Sequence, residues 1–107
     1  MNTEEFQSWI SLNNIIERTK RDFWNYIENY RSEESEEFLE VFSNVNMDYL
    51  EISISKVSLT INYRFDEPIT FVSAFVDIEY EDEEIGEYES LYSLDGDDLD
   101  DYLRIKD

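Results

Sequence analysis

The chain has 107 residues, and 28 acidic against eight basic residues give it a net charge of -20. It contains no cysteine and no histidine, which excludes disulfides, thiolate metal sites and the catalytic triads built on those side chains. Hydrophobic residues still make up 41% of the chain, so it can build a core and is not simply a disordered acidic tail.

The N-terminus lacks the basic start and the apolar run of a signal peptide. Every apolar stretch is far shorter than the ~18–20 residues that a membrane span requires. We therefore expect a cytoplasmic protein with no membrane partner. The length predicts a single domain over residues 1–107.

The first segment, residues 3–30, has the spacing of a helix with one apolar face. Asn2, with Glu5 three positions later, resembles a capping box at its start. Asn13-Asn14 has weak helix propensity and is a candidate break in the middle. Large apolar residues recur every seven positions, at Trp9, Ile16, Phe23 and Tyr30, with Phe6, Leu12 and Ile27 between them.

A second, shorter helix is predicted from Glu33 to Phe42. Ser32 is a credible N-cap residue, and the acids that follow it suit the positive end of the helix dipole. Phe38, Val41 and Phe42 are expected to face the core.

From Met47 onward the apolar spacing changes to two, which predicts strands. The alternation reverses its parity at Ser55-Lys56, which requires either a tight turn or a β-bulge. Residues 69–80 are apolar on both faces near their start, which is typical of a central strand. A turn is expected at Asp66-Glu67-Pro68.

The next strand is predicted over residues 85–94, joined through residues 81–84. Asp95-Gly96 indicates a turn, after which Leu99, Tyr102 and Leu103 form a short helix or a final strand. The expected fold is therefore α+β, with N-terminal helices (3–42) on one face of an antiparallel meander of about four strands (47–105).

Between Asp77 and Asp101 the chain places thirteen acids and no base. Asp77, Glu79 and Glu81 are expected on one face of a strand, and Glu87 and Glu89 repeat this on its neighbour. Such an array resembles spaced phosphates, so it can compete for a basic nucleic-acid-binding surface. The alternative is that these acids only aid solubility and protect a sheet edge. The predicted partner-binding residues are Asp77, Glu79, Glu81, Asp82, Glu83, Glu84, Glu87, Glu89, Asp95, Asp97, Asp98, Asp100 and Asp101.

The sequence contains no clear motif for metal binding, catalysis or direct nucleic-acid binding. The acids after Asp95 lack the glycine and glutamate positions of an EF-hand, and Asp97 is more simply the cap of a short helix. No phosphate-binding loop or nucleophile elbow occurs, so we expect no enzyme activity, no cofactor and no metal site. Ion pairs along the helix explain the basic cluster Arg18, Lys20 and Arg21, and we expect no direct nucleic-acid binding.

Four aromatic residues are candidates for exposed interface anchors. Either Trp24 or Tyr26 is expected to be exposed on the first helix, because the aromatic set there is too large for one face. Tyr88 and Tyr92, among the acids of the strands, are as consistent with an exposed interface as with the core.

In size, acidity and lack of catalytic motifs, the chain resembles small acidic inhibitors of phages, including DNA-mimic anti-restriction and anti-CRISPR proteins. The resemblance rests on the charge of residues 77–101 and on no specific motif. It implies a stoichiometric inhibitor whose partner is a nuclease or a CRISPR or restriction effector. Two alternatives remain open: an immunity protein or antitoxin that neutralises a cognate toxin, and a regulatory or structural domain without inhibitory activity.

Overall fold

The computed structural model describes residues 1–106 as three helices followed by a four-stranded antiparallel sheet. The predicted α+β arrangement is confirmed, because the helices precede the sheet in the chain and pack on one of its faces. No helix in this part of the chain is long and apolar enough to cross a bilayer. The elements are α1 (Thr3–Leu12), α2 (Ile15–Glu33), α3 (Ser35–Val41), a 3-10 turn (Met47–Tyr49), β1 (Glu51–Asn62), β2 (Ile69–Tyr80), β3 (Glu83–Tyr92) and β4 (Asp98–Ile105).

The candidate break at Asn13-Asn14 is real and separates α1 from α2. Asn14 has a φ of 53°, a left-handed conformation that asparagine tolerates better than most residues. The Asn2 side chain caps α1 by accepting a hydrogen bond of 2.8 Å from the Glu5 backbone N–H. The break shifts the apolar face in part: Leu12 is 86% exposed, and Ile15 is buried in place of Ile16. The other residues of the predicted face pack in the two core clusters: Phe6, Trp9, Phe23, Ile27 and Tyr30.

Ser32 does not cap the next helix, contrary to the prediction. Its hydroxyl donates to the Glu28 carbonyl oxygen (2.7 Å) inside α2, which continues to Glu33. α3 begins at Ser35 without a side-chain cap. Phe38 and Phe42 are buried as predicted, whereas Val41 is 37% exposed.

The sheet order is β1-β2-β3-β4, with every neighbouring pair antiparallel and β2 in a central position as predicted. A bulge between Ile54 and Lys56 accounts for the parity change in β1, and the Ser55 hydroxyl donates to the Phe75 carbonyl oxygen on β2. Beyond residues 95–97 the chain forms the strand β4, so the short helix that Asp97 was expected to cap does not occur.

Two apolar clusters fill the space between the helices and the sheet. One joins Phe23 and Ile27 of α2 to Val76 and Ile78 of β2, and the other centres on Ile15 and Val72. Tyr88 and Tyr92 of β3 belong to these clusters and are completely buried. They are therefore not exposed anchors, because strand alternation turns them toward the helices and turns Glu87 and Glu89, on either side of Tyr88, away.

Candidate acidic binding surfaces

The sheet separates the thirteen acids predicted as one site into different surfaces. One group lies around the β2–β3 turn, at the end of the sheet, mostly on the face that the helices leave open. A second group lies on β4 beside α2. Asp95 and Asp97 lie apart from both, in the exposed connection between β3 and β4.

The first group continues across three strands. Glu51 of β1 is the direct partner of Glu79, and Glu79 is the direct partner of Glu84 on β3. Directly opposed Cα atoms in antiparallel strands lie ~4.5–5.5 Å apart, so these three carboxylates form a close row. Asp77 lies in the next row, where its partner Glu87 contacts Arg104 and is therefore not counted in the group. We call this group the acidic sheet end. Its residues are Glu51, Asp77, Glu79, Glu81, Asp82, Glu83 and Glu84.

The turn within the acidic sheet end has an unfavourable backbone conformation for its residues. β2 and β3 are joined by Glu81 and Asp82 alone, and both have positive φ, 52° and 66°. Two-residue hairpin turns with two positive φ angles normally carry Asn-Gly, because glycine and asparagine adopt this conformation at low cost. The turn therefore presents two carboxylates at an energetic cost of order 1 kcal/mol or more.

Cations neutralise few of these acids. Lys106 lies 3.1 Å from the Glu84 carboxylate, and the salt bridges of residues 1–106 include none to the other six residues of the acidic sheet end. Farther along the open face Arg104 contacts both Glu87 (3.4 Å) and Glu89 (2.6 Å). The open face is therefore strongly negative at the turn and less negative around Arg104, which offsets one of the two glutamate charges.

The second surface is a groove of about 560 Å³ between α2 and β4. Only one of its acids has a salt bridge within residues 1–106: Asp98 contacts Arg18 at 3.1 Å. We call this groove between α2 and β4 the acidic groove. Its acidic residues are Asp22 and Glu33 from α2, Glu34 directly after that helix, and Asp98, Asp100 and Asp101 from β4.

Two buried tyrosines of β3 hydrogen-bond two carboxylates of the acidic groove. The Tyr88 hydroxyl donates to Asp101 (2.7 Å), and the Tyr92 hydroxyl lies 2.7 Å from the Thr19 hydroxyl and 3.3 Å from Asp22. Burial, assisted by the negative charge of Asp98, raises the pKa of Asp22. Burial and the hydrogen bond to Asp101 raise the pKa of Tyr88. Both shifts have the direction expected in an apolar and negatively charged environment.

Four acids of these surfaces were not predicted as site residues: Asp22, Glu33, Glu34 and Glu51. On α2, polar residues at positions 22, 25, 29 and 33 follow helical spacing and form one stripe. That stripe was a usable signal for the α2 wall of the acidic groove. No local sequence pattern indicates that this wall faces β4, since Asp22 and Asp98 are far apart in the chain.

Of the predicted aromatic anchors, Trp24 is 40% exposed and contacts Phe23 edge to face, whereas Tyr26 lines the acidic groove and packs against Tyr88.

Among residues 1–106 no group of three or more acids has a geometry suited to holding a metal ion. No known protein family, curated protein or solved structure matches the chain.

Proposed function

We propose that the protein is a stoichiometric inhibitor that uses the acidic sheet end to occupy the basic nucleic-acid-binding surface of a nuclease or another defence enzyme. The observation that carries the proposal is the set of seven carboxylates on that surface, of which only Glu84 has a cation beside it within residues 1–106. A partner with clustered Lys and Arg residues would supply the missing cations.

The charge density supports an imitation of phosphates. Three neighbouring strands span ~10 Å, since adjacent strands lie ~4.8 Å apart. Duplex DNA carries one charge per ~1.7 Å of axis, or about six over the same distance. The acidic sheet end carries seven carboxylates across those strands and their turn, so a cation array that fits a duplex meets a similar number of anions here.

The stability cost of these acids favours function over solubility alone. Like charges directly opposite each other destabilise a sheet, and the turn holds Glu81 and Asp82 in left-handed conformations. Solubility requires only exposed charges, which the helices already supply, and does not require them to be opposed. Residues that lower stability persist where the surface they form is used.

A comparative pull-down tests the proposal. The tagged wild-type protein is incubated with nuclease-treated host lysate, and the retained proteins are identified and challenged with duplex DNA. We expect a nucleic-acid enzyme that DNA displaces and that elutes as salt rises, because exposed charges are screened over ~8–10 Å at physiological ionic strength. The triple variant Glu51→Gln, Asp77→Asn, Glu79→Gln should lose it.

The control is a second triple variant, with Glu28, Glu40 and Glu67 changed to Gln, which removes the same charge from exposed positions outside the acidic sheet end. It should retain the partner. Equal loss in both variants would show an effect of net charge alone. A partner that DNA does not displace would favour the immunity-protein alternative, and no partner at all would contradict the proposal.

A further inference from the structure

One edge of the sheet differs from the rest of the molecule in its charge. The fourteen residues from Ile52 to Phe65 include no acid and two bases, Lys56 and Arg64, and they form the longest acid-free run in the sequence. Most of the run is β1, which pairs with β2 on one side and with no other strand of the described residues. Charged side chains commonly protect edge strands from pairing with another chain. The opposite edge, β4, carries three aspartates, whereas β1 carries no acid after Glu51 and, beyond the bulge at Ser55, only one charged residue, Lys56.

The same edge exposes apolar side chains. Leu59 is 39% exposed and Ile61 is 50% exposed. Both alternate with polar residues and point to the face where the helices lie, yet neither belongs to the two apolar clusters of the core. A strand added along β1 would cover them.

We propose that two copies of this chain pair through their β1 strands, antiparallel across a two-fold axis, so that two sheets join into one of eight strands. The bulge at Ser55 leaves a regular segment from Lys56 to Asn62 for this pairing. Two-fold symmetry with Leu59 opposite its own copy places Val57 opposite Ile61 and Lys56 opposite Asn62. The two residues of each opposed pair then point to the same face of the joined sheet, as antiparallel pairing requires.

The charge distribution favours a second copy at this edge over contacts elsewhere on the molecule. In the proposed register no two charged side chains are directly opposed, since Lys56 faces an asparagine. Almost any other approach of two molecules of net charge -20 brings acids against acids. A two-fold pair is also closed, so no β1 edge remains free to add further chains. The acidic sheet end lies beyond the paired segment and stays open.

Sedimentation equilibrium of the full chain tests this pairing at ~1 µM to ~1 mM protein, a range that covers weak to moderate dissociation constants. We expect a monomer–dimer equilibrium that shifts toward dimer between ~0.15 M and ~1 M NaCl, because salt screens the repulsion between the two copies. Binding of a basic partner should instead weaken as the salt concentration rises over this range. The two proposals therefore predict opposite salt dependences, and one can fail while the other holds.

Two variants with the same charge change separate the β1 edge from net charge. Leu59→Glu places two carboxylates opposite each other and should weaken dimerisation at least tenfold, while Leu99→Glu on the β4 edge should dimerise like the wild-type protein. A wild-type monomer under all conditions, an equal effect of both variants, or open-ended assemblies would overturn the proposal.

The absence of cysteine allows a direct test of the register. Directly opposed residues have Cβ atoms ~4.5–5.5 Å apart, close to the ~3.5–4.5 Å of a disulfide. Mild oxidation should therefore cross-link Leu59→Cys into dimers. The control variant Ser53→Cys places a cysteine at an exposed position of the same strand, outside the paired segment. It should remain monomeric on denaturing gels after the same oxidation. Equal cross-linking of the two variants would exclude this register.

Discussion

Replacement of Glu79 by Gln should stabilise the protein, although it removes no steric conflict. Glu79 lies between Glu51 and Glu84, its direct partners on the two neighbouring strands. Two unit charges ~5–6 Å apart in water repel by ~0.7 kcal/mol, and physiological salt reduces this about twofold. Two such neighbours sum to ~0.5–1 kcal/mol, within the range measured for opposed like charges in sheets. We therefore expect Glu79→Gln to raise the free energy of unfolding by that amount.

Urea unfolding is the appropriate assay, because urea is uncharged and leaves the ionic strength unchanged. With an m-value of ~1–3 kcal/mol/M, the midpoint should rise by a few tenths of a molar. The gain should nearly vanish in ~1 M NaCl, where the Debye length is ~3 Å.

Glu89→Gln on the same face is the matched control and should have the opposite sign. The Glu89 side chain is only 13% exposed and its carboxylate lies 2.6 Å from Arg104, so loss of its charge should destabilise by ~1 kcal/mol. If Glu79→Gln is neutral or destabilising, or if its gain persists in high salt, repulsion across the acidic sheet end is not a cost to folding.

Three further changes test other parts of the structure. Gly86→Ala should destabilise by ~1–3 kcal/mol in urea unfolding, because a Cβ there would lie 2.6 Å from the Arg104 carbonyl oxygen; unchanged stability would refute that close approach. Replacement of Glu81-Asp82 by Asn-Gly should raise the thermal midpoint by several degrees, since both positions have positive φ, and no increase would contradict the turn geometry. Burial and Asp98 raise the pKa of Asp22, so its charged form opposes folding at neutral pH and its protonation removes that penalty as pH falls. Asp22→Asn should therefore be more stable than the wild-type protein at pH ~7, with a difference that shrinks toward pH ~4 in urea titrations; a constant difference would exclude this linkage.

The order of elements was predictable from the sequence because periodicity is a local property. A helix repeats its apolar face at about 3.6 residues and a strand at two, so both segments show their type without knowledge of their neighbours. The bulge at Ser55 also left a local trace, a reversal of parity, although the sequence did not distinguish a bulge from a turn. Element boundaries were less reliable, because the acids at positions 83 and 84 resemble a loop in composition and are held in β3 by pairing with β2.

The division of the acids into two surfaces was decided by tertiary structure. A run of charge in the sequence does not state which face each residue takes, and the burial of Tyr88 turned its two neighbours, Glu87 and Glu89, to the open face. The acidic groove depends on the packing of α2 beside β4, which places Asp22 near Asp98 although the two are far apart in the chain. Composition alone determined the net charge of -20. Long-range strand pairing and helix packing determined where that charge is concentrated, because local periodicity does not encode which distant segments meet.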